Sequence, residues 1–417
     1  MSGGSDPSQS PGRSDTIHNM ETKPDLTAPA TLSRAWAEVD LDAIEHNVRA
    51  VMGLLGPSRL CGVVKADAYG HGVLETSKVL ARCGASYLAV SILDEALELR
   101  RTGIALPILV LSYTDPKRAS EVVDGKVTQT VFDLGLAEAL SDEAVRRGRK
   151  VRVHAKVDTG MGRVGFMPGY NAVKDIARIA AMPGIVLEGM FTHFAASDED
   201  DPTYTAMQTE AFGCIADELH RVGIGIPILH SANSAAVMRH PETHMDMARV
   251  GLAIYGLYPS GGAVETATRL IPALSLKSSV VMVKKMGPGM SVSYGRRFTT
   301  RRESVMATVP IGYADGFSRI HTGSAHVLIG GMRHPVVGAI CMDQCVVDVT
   351  DAAGEVSVGD EVVIIGGQGG GRIEAEELAE QAGTINYEVA CLVGRRVPRA
   401  YIKDGKVRKV VNYLFGE

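Results

Sequence analysis

Between about residues 60 and 256 the chain repeats one unit eight times: a short apolar, often β-branched run ending in polar residues, then a stretch with helical spacing. The runs cover 61–64, 86–91, 108–111, 127–132, 151–157, 185–191, 226–229 and 250–255, with amphipathic windows at 74–83, 94–101, 136–147, 172–181 and 203–221. Strands that alternate with helices make a parallel sheet, and eight is the number that closes a barrel. An open doubly wound sheet is the competing arrangement. No G-x-G-x-x-G follows the first run, which counts against it.

After residue 272 the texture changes. Short runs rich in Val, Ile and Thr, at 274–286, 303–309, 325–329, 334–337, 346–349, 361–365 and 407–413, are broken by Gly, Pro and Asp. The clearest helical window there is 375–382. This reads as a mostly antiparallel β domain. A further strand-like run at 36–41 precedes the first helix and is expected to join that second sheet. The expected organisation is therefore a disordered tail over 1–33, a strand segment over 34–43, a TIM-like (β/α)8 barrel over 44–271 and a β domain over 272–417.

With 417 residues and 45% hydrophobic content, the chain can build two packed cores. A net charge of -5 and the lack of a basic stripe argue against a nucleic-acid partner. No segment reaches the ~18 apolar residues that span a bilayer, and the Ser/Pro/Gly-rich start lacks a secretory core, so a cytoplasmic protein without membrane contact is expected. None of the six cysteines forms a C-x-x-C pair. Cys341 and Cys345 stand four apart without a second pair, which suits free thiols in a reducing compartment. His230, His240 and His244 match no common metal spacing, so no metal is expected.

Barrel chemistry sits at the C-terminal ends of the strands. The polar residues there are Lys65 after the first run, Lys156 and Asp158 after the fifth, His193 after the sixth, then His230, Asn233 and Ser234 after the seventh. Arg249 opens the eighth run. A strand-end lysine can be a rim residue whose stem snorkels to water. It can also form a Schiff base with an aldehyde cofactor, because partial burial lowers its pKa. Loops after the last two barrel strands commonly hold phosphate, and Ser234 and Gly251 lie there. Phosphate at that edge and an aldehyde near Lys65 would suit pyridoxal phosphate. The plain alternative for Ser234 is a helix N-cap.

The segment Val63-Val64-Lys65-Ala66-Asp67-Ala68-Tyr69-Gly70-His71-Gly72 resembles the cofactor-attachment signature of the alanine racemases. Eight further blocks follow in order: 156–163, 192–195, 230–234, 249–251, 292–295, 312–316, 341–344 and 386–388. The likeness covers roughly residues 34 to 415. It implies a barrel followed by a β domain, pyridoxal 5'-phosphate as cofactor, and a homodimer whose active sites are shared between subunits. Lys65 would carry the cofactor and act as one base. Tyr294, from the second subunit, would be the other. Tyr69, Asn233, Ser234, the backbone at Gly251 and Leu252, and Tyr387 would hold the cofactor's phosphate end. Arg249 would face the pyridine nitrogen and His193 would lie along the ring. Arg163 would steady the tyrosine phenol, and Lys156, a position often carbamylated in the family, would position that arginine. Met342 and Asp343 would meet the substrate carboxylate from the second subunit, with Tyr313 at the entrance.

Racemisation needs a base on each face of a planar carbon, which is the use of a Lys and Tyr pair. Their ordinary pKa values are about 10.4 and 10, so both must be lowered or act at raised pH. An arginine at the pyridine keeps its own proton and makes the ring a weaker electron sink, which favours proton exchange over transamination. Decarboxylases of the same architecture place an acidic residue there, so Arg249 speaks against that activity. A small pyridoxal-phosphate-binding homeostasis protein is a barrel alone, which the second domain disfavours. Serine or broader racemases share these blocks. The expected role is L- and D-alanine interconversion that supplies peptidoglycan.

Overall fold

The computed structural model describes Met1 and residues 34–259 and 269–415, so the expected N-terminal tail lies, Met1 apart, outside the described residues. Strand β1 (Ala35–Asp40) runs straight into a helix, Leu41–Leu55. Asp40 caps that helix by accepting from the backbone N–H groups of Asp42 and Ala43 at 2.9 and 3.0 Å, a bond type that contributes about 1 kcal/mol. Ile44, Val48, Val51 and Leu55 recur at helical spacing and are buried.

Eight parallel strands follow: β2 (Arg59–Val63), β3 (Tyr87–Val90), β4 (Ile108–Val110), β5 (Thr128–Val131), β6 (Val151–Lys156), β7 (Ile185–Phe191), β8 (Ile228–His230) and β9 (Met247–Val250). Each pairs with the next up to β8, and β9 returns to β2 with Leu60 opposite Ala248. The last gap, β8 to β9, is bridged by Asp246, whose N–H donates to Leu229 O at 3.1 Å while its carboxylate accepts from Leu229 N at 2.8 Å. The expected barrel is present. Its eighth strand is displaced from the expected 250–255: the strand is Met247–Val250, and Leu252–Tyr255 is a 3-10 turn. All four residues of that turn are buried. An apolar run buried on every side has no period to separate helix from strand. The shift places Arg249 near the C-terminal end of β9 rather than at the opening of a strand.

The second sheet has eleven strands, and β10 (Leu274–Ser279) lies in its interior, between β1 and Glu361–Gln368. The run expected over 274–286 is two strands, because Met282–Met286 leaves β10 to pair with Ser304–Val309. Strand β1 pairs antiparallel with β10, Ala35 opposite Ser278, and parallel with Arg399–Lys403. Strand β1, ahead of the barrel in sequence, thus belongs to the sheet that follows the barrel.

The two domains are joined by a buried arginine. Arg399 is 1% exposed. It donates to the carbonyls of Val393, Gly394 and Val397 at 2.7, 2.6 and 2.6 Å, and across the junction to Gly70 at 3.1 Å. Arg399→Ala removes this donor from all four carbonyls, and only Gly394 O keeps a backbone partner, Val397 N. Urea unfolding should show a loss of about 3–5 kcal/mol, whereas a loss under about 1 kcal/mol would contradict this role.

Candidate active site

A cavity of about 620 Å³ opens at the C-terminal ends of the barrel strands and is walled on one side by Tyr387, Glu388 and Cys391 of the second domain. That volume suits a cofactor with a small substrate. Lys65 enters it two residues beyond β2. The four residues that follow, Ala66 to Tyr69, all have φ between 53° and 55°. This is one left-handed turn made without glycine, at a cost of about 1–2 kcal/mol per residue. It is held from all sides. Glu95 accepts from Ala66 N at 2.6 Å. Asp67 accepts from Val73 N at 2.8 Å and from the Tyr413 hydroxyl at 2.7 Å. Burial and the nearby Arg163 cation lower the Lys65 pKa, which eases release of its proton.

Arg249 is 4% exposed and, among the described residues, has no carboxylate partner. Its guanidinium donates to the carbonyls of Thr192, His230 and Ser231 at 2.8, 3.1 and 2.9 Å. It also donates to Nδ1 of His230 at 3.0 Å and Nδ1 of His193 at 3.2 Å, and it lies 5.0 Å over the Phe191 ring. Burial brings its pKa down to about 10, so it stays protonated at neutral pH. The His193 pKa is held well below the ordinary value by burial and by the cations Arg249, Arg163, Lys156 and Lys65, which leaves a neutral imidazole.

The opposite edge is a close-packed cradle. The Ser234 hydroxyl accepts from Gly251 N at 3.1 Å and Ala253 N at 3.4 Å. A Cβ at Gly251 would lie 2.5 Å from the Tyr69 hydroxyl, so only glycine lets the phenol and this backbone approach. Tyr387 stands 6.3 Å from Tyr69, ring to ring. The helix N-cap is Asn233, not Ser234: the Asn233 side-chain oxygen Oδ1 accepts from Ala236 N at 2.9 Å and Ser197 Oγ at 3.0 Å. Ser234 is thereby free for Gly251.

Lys156 is 3% exposed, and its ammonium donates to Val157 O at 2.7 Å. No bond joins it to Arg163, which lines the same cavity, so the expected positioning of Arg163 by an unmodified Lys156 is not seen. Burial brings the Lys156 pKa to about 8. The second group of expected residues does not reach the cavity. Tyr294, Tyr313 and Met342 are 72%, 41% and 52% exposed on the β domain. Asp343 is paired with Arg396, which also holds the buried Asp315. Ser293, before Tyr294, has φ 61° and ψ -175°, a region L residues rarely occupy. Its hydroxyl donates to Ala339 O at 2.6 Å.

Strand-end reading missed Phe191, because it collected polar residues only. Phe191 stacks on His230 at 4.8 Å and underlies Lys156 and Arg249. It also missed Glu95, which lies on another helix and carries no local signal.

The residues suit pyridoxal phosphate. A lysine amine with a lowered pKa, a cation-rich wall and a hydroxyl-lined glycine cradle are the groups an anionic aldehyde needs. The comparisons agree. The alanine racemase N-terminal domain family matches residues 39–259, and the C-terminal domain family matches 273–401. Alanine racemase 1 of Clostridium acetobutylicum is 46% identical over 91% of this chain and 98% of its own length. The alanine racemase of Clostridium novyi is 45% identical over 92% and 99%. Among solved structures, alanine racemase of Clostridium difficile 630 superposes with TM-score 0.88 at 42% identity, covering 91% of this chain and 99% of that one. The Bacillus anthracis alanine racemase with bound L-Ala-P gives 0.88 at 38% identity, covering 92% and 99%.

Lys156 generates a signed prediction. Its charged form is disfavoured in the fold, so the unfolded chain binds its proton more tightly between about pH 8 and the ordinary 10.5. Stability therefore rises across that window. In CO2-depleted buffer, Lys156→Met should stabilise the protein by about 2 kcal/mol at pH 7, and the gain should fade toward pH 10. A gain that does not change with pH would refute the assignment. With sequence, fold and cavity in agreement, the chain belongs to the alanine racemase family, the pyridoxal-phosphate-dependent isomerases that interconvert L- and D-alanine.

Proposed function

We propose that Lys65 and the partner subunit's copy of Tyr294 are the two bases of this racemase, and that the working unit is a homodimer. The observation that carries the reading is the convergence of Lys65, Arg249 and the Ser234–Gly251–Tyr69 cradle on one cavity. When bound there, pyridoxal phosphate spreads the negative charge left on the substrate carbon after its proton departs. Lys65 Nζ would hold the cofactor and move the Cα proton on one face. Tyr294 Oη would do so on the other. Its exposure, with that of Tyr313 and Met342, supports delivery into a second chain. The Asp343 carboxylate is engaged by Arg396, so the backbone of the Met342–Asp343 loop is the donor left for a substrate carboxylate.

Tyr69, Ser234, the backbone of Gly251 and Leu252, and Tyr387 would hold the phosphate, with Asn233 fixing the Ser234 backbone. His193 would lie along the ring. Arg249 would stand at the pyridine nitrogen and, keeping its own proton, leave that nitrogen neutral. Lys156 is half deprotonated near pH 8, and a neutral buried amine can take up CO2; the resulting carbamate would supply an anion for Arg163 in the same cavity. Arg163 would then steady the incoming phenol. Among the described residues no helix is long and apolar enough to cross a membrane. The six unpaired cysteines suit the cytoplasm, where D-alanine would feed peptidoglycan.

Incubated with L-alanine, the purified chain should form D-alanine, and borohydride should trap the cofactor on Lys65. No D-alanine together with no trapping would contradict the reading. L-Serine run in parallel measures substrate breadth. Arg249→Glu should release pyruvate in a larger share of turnovers, and an unchanged partition between racemisation and transamination would refute the assigned role.

A further inference from the structure

A line of polar side chains that the scheme above does not use runs from Arg249 through the barrel interior. His230 Nε2 faces His154 Nδ1 at 2.8 Å. His154 Nε2 stands 3.5 Å from the Glu188 carboxylate. The Tyr87 hydroxyl donates to that carboxylate, and Arg152 pairs with it at 3.1 Å. Arg249 lies near the C-terminal end of β9, whereas Tyr87 and Arg152 lie at the N-terminal ends of β3 and β6. The line therefore crosses from the cavity side toward the far mouth, where Glu188 is 20% exposed.

The first member fixes the order of donors. A guanidinium only donates. His230 Nδ1 must therefore accept, and a neutral His230 carries its proton on Nε2. That proton is donated to His154 Nδ1, which puts the His154 proton on Nε2, aimed at Glu188. An ionised carboxylate only accepts, so Glu188 meets that N–H with the right polarity, at 3.5 Å an electrostatic contact rather than a full hydrogen bond. No other arrangement of protons on two neutral imidazoles makes every contact attractive. Burial keeps both rings neutral.

The backbone departs from regularity twice to build this end. In the β6–β7 ladder Val153 faces Leu187 and His154 faces Gly189, so Glu188 is the extra residue of a β-bulge. A bulge re-aims a side chain. At the next residue, a Cβ on Gly189 would lie 2.6 Å from the His154 ring. Both departures serve the contact between Glu188 and His154.

We propose that Glu188 is a positioning residue for racemisation: through His154 and His230 it fixes the tautomer that gives Arg249 its imidazole acceptor. The inference rests on the reading of Arg249 given above. Without the carboxylate, only the contact with His230 holds the His154 proton on Nε2, and the Nδ1–H tautomer becomes accessible. That sets two N–H groups against each other at the contact with His230, and the conflict passes to Arg249.

The test is a long-range 1H–15N correlation of the histidines in full-length, cofactor-loaded enzyme at neutral pH, read beside kinetics. His154 and His230 should both show the neutral Nε2–H pattern. In Glu188→Leu, His154 should lose it, kcat should fall about tenfold with KM changed less than about twofold, and the share of turnovers ending in pyruvate should rise. Glu188→Gln keeps an accepting oxygen and should retain the tautomers and most of kcat. An Nδ1–H His230 in the unaltered enzyme overturns the proposal, as does Glu188→Leu with unchanged tautomers and partition. Should Glu188→Leu fail to fold, the unaltered enzyme and Glu188→Gln decide the matter by the same criteria. An unaltered enzyme that makes no D-alanine would overturn the racemase reading instead, and the tautomers would still report on the line itself.

Discussion

A guanidinium buried without a carboxylate sets the terms for the rest of this site. Taking a cation out of water costs several kcal/mol even after the protein relaxes. Among the described residues the cost is offset by neutral groups alone: three carbonyls, two imidazoles and the face of Phe191. The carbonyls come from residues at the ends of β7 and β8, so the strand ends must turn inward at the height of Arg249. The imidazoles must be neutral and must present Nδ1. The requirement thus reaches beyond the cavity into the barrel core, where His154 and Glu188 are arranged to meet it. A carboxylate partner would have been simpler to build. It would also have neutralised the charge that distinguishes this site.

The same logic accounts for the cavity's other charges. Lys65, Lys156, Arg163 and Arg249 all line it, with Glu388 the one carboxylate among the described lining residues. Burial lowers the pKa of Lys65, Lys156 and Arg249, for the two lysines together with neighbouring guanidinium charge, and the cavity is short of negative charge. An anionic cofactor and a substrate carboxylate answer that deficit. The left-handed turn after Lys65 belongs to this design. It is a costly backbone held by Glu95 from one helix and by Tyr413 and Arg399 from the second domain. The β domain therefore helps to aim the lysine of its own chain, while its exposed tyrosine faces outward.

Much of this was legible in the sequence. Alternating apolar runs disclose the barrel, because burial on both faces removes the strand's polar side. Lys65 stands out because a polar residue ends such a run. Other features were hidden for physical reasons. The turn at Leu252–Tyr255 is as apolar as a strand, so Arg249 was placed at the wrong end of its neighbour. His154 lies two residues before Lys156, and the strand period puts both on one face, a signal that could have been used. Glu188 could not be found this way, because its bulge breaks the alternation. Asn233 and Ser234 exchange the roles that capping preference assigns, which only the hydrogen bonds reveal. The block containing Tyr294 identifies the residue, but in the proposed reading its use depends on a second chain, which no pattern in one sequence displays.

The most direct measurement is therefore complementation between two inactive proteins. Lys65→Ala and Tyr294→Phe variants are purified separately, each showing at most a trace of alanine racemisation, then mixed under conditions that exchange subunits. If each cavity takes its tyrosine from the partner, a mixed dimer holds one intact site and one doubly altered site. Activity should then return toward about a quarter of the unaltered enzyme's, as random pairing of independent shared sites requires. A mixture that exchanges subunits and stays inactive would contradict the account, because each chain would then have to supply both bases to its own cavity.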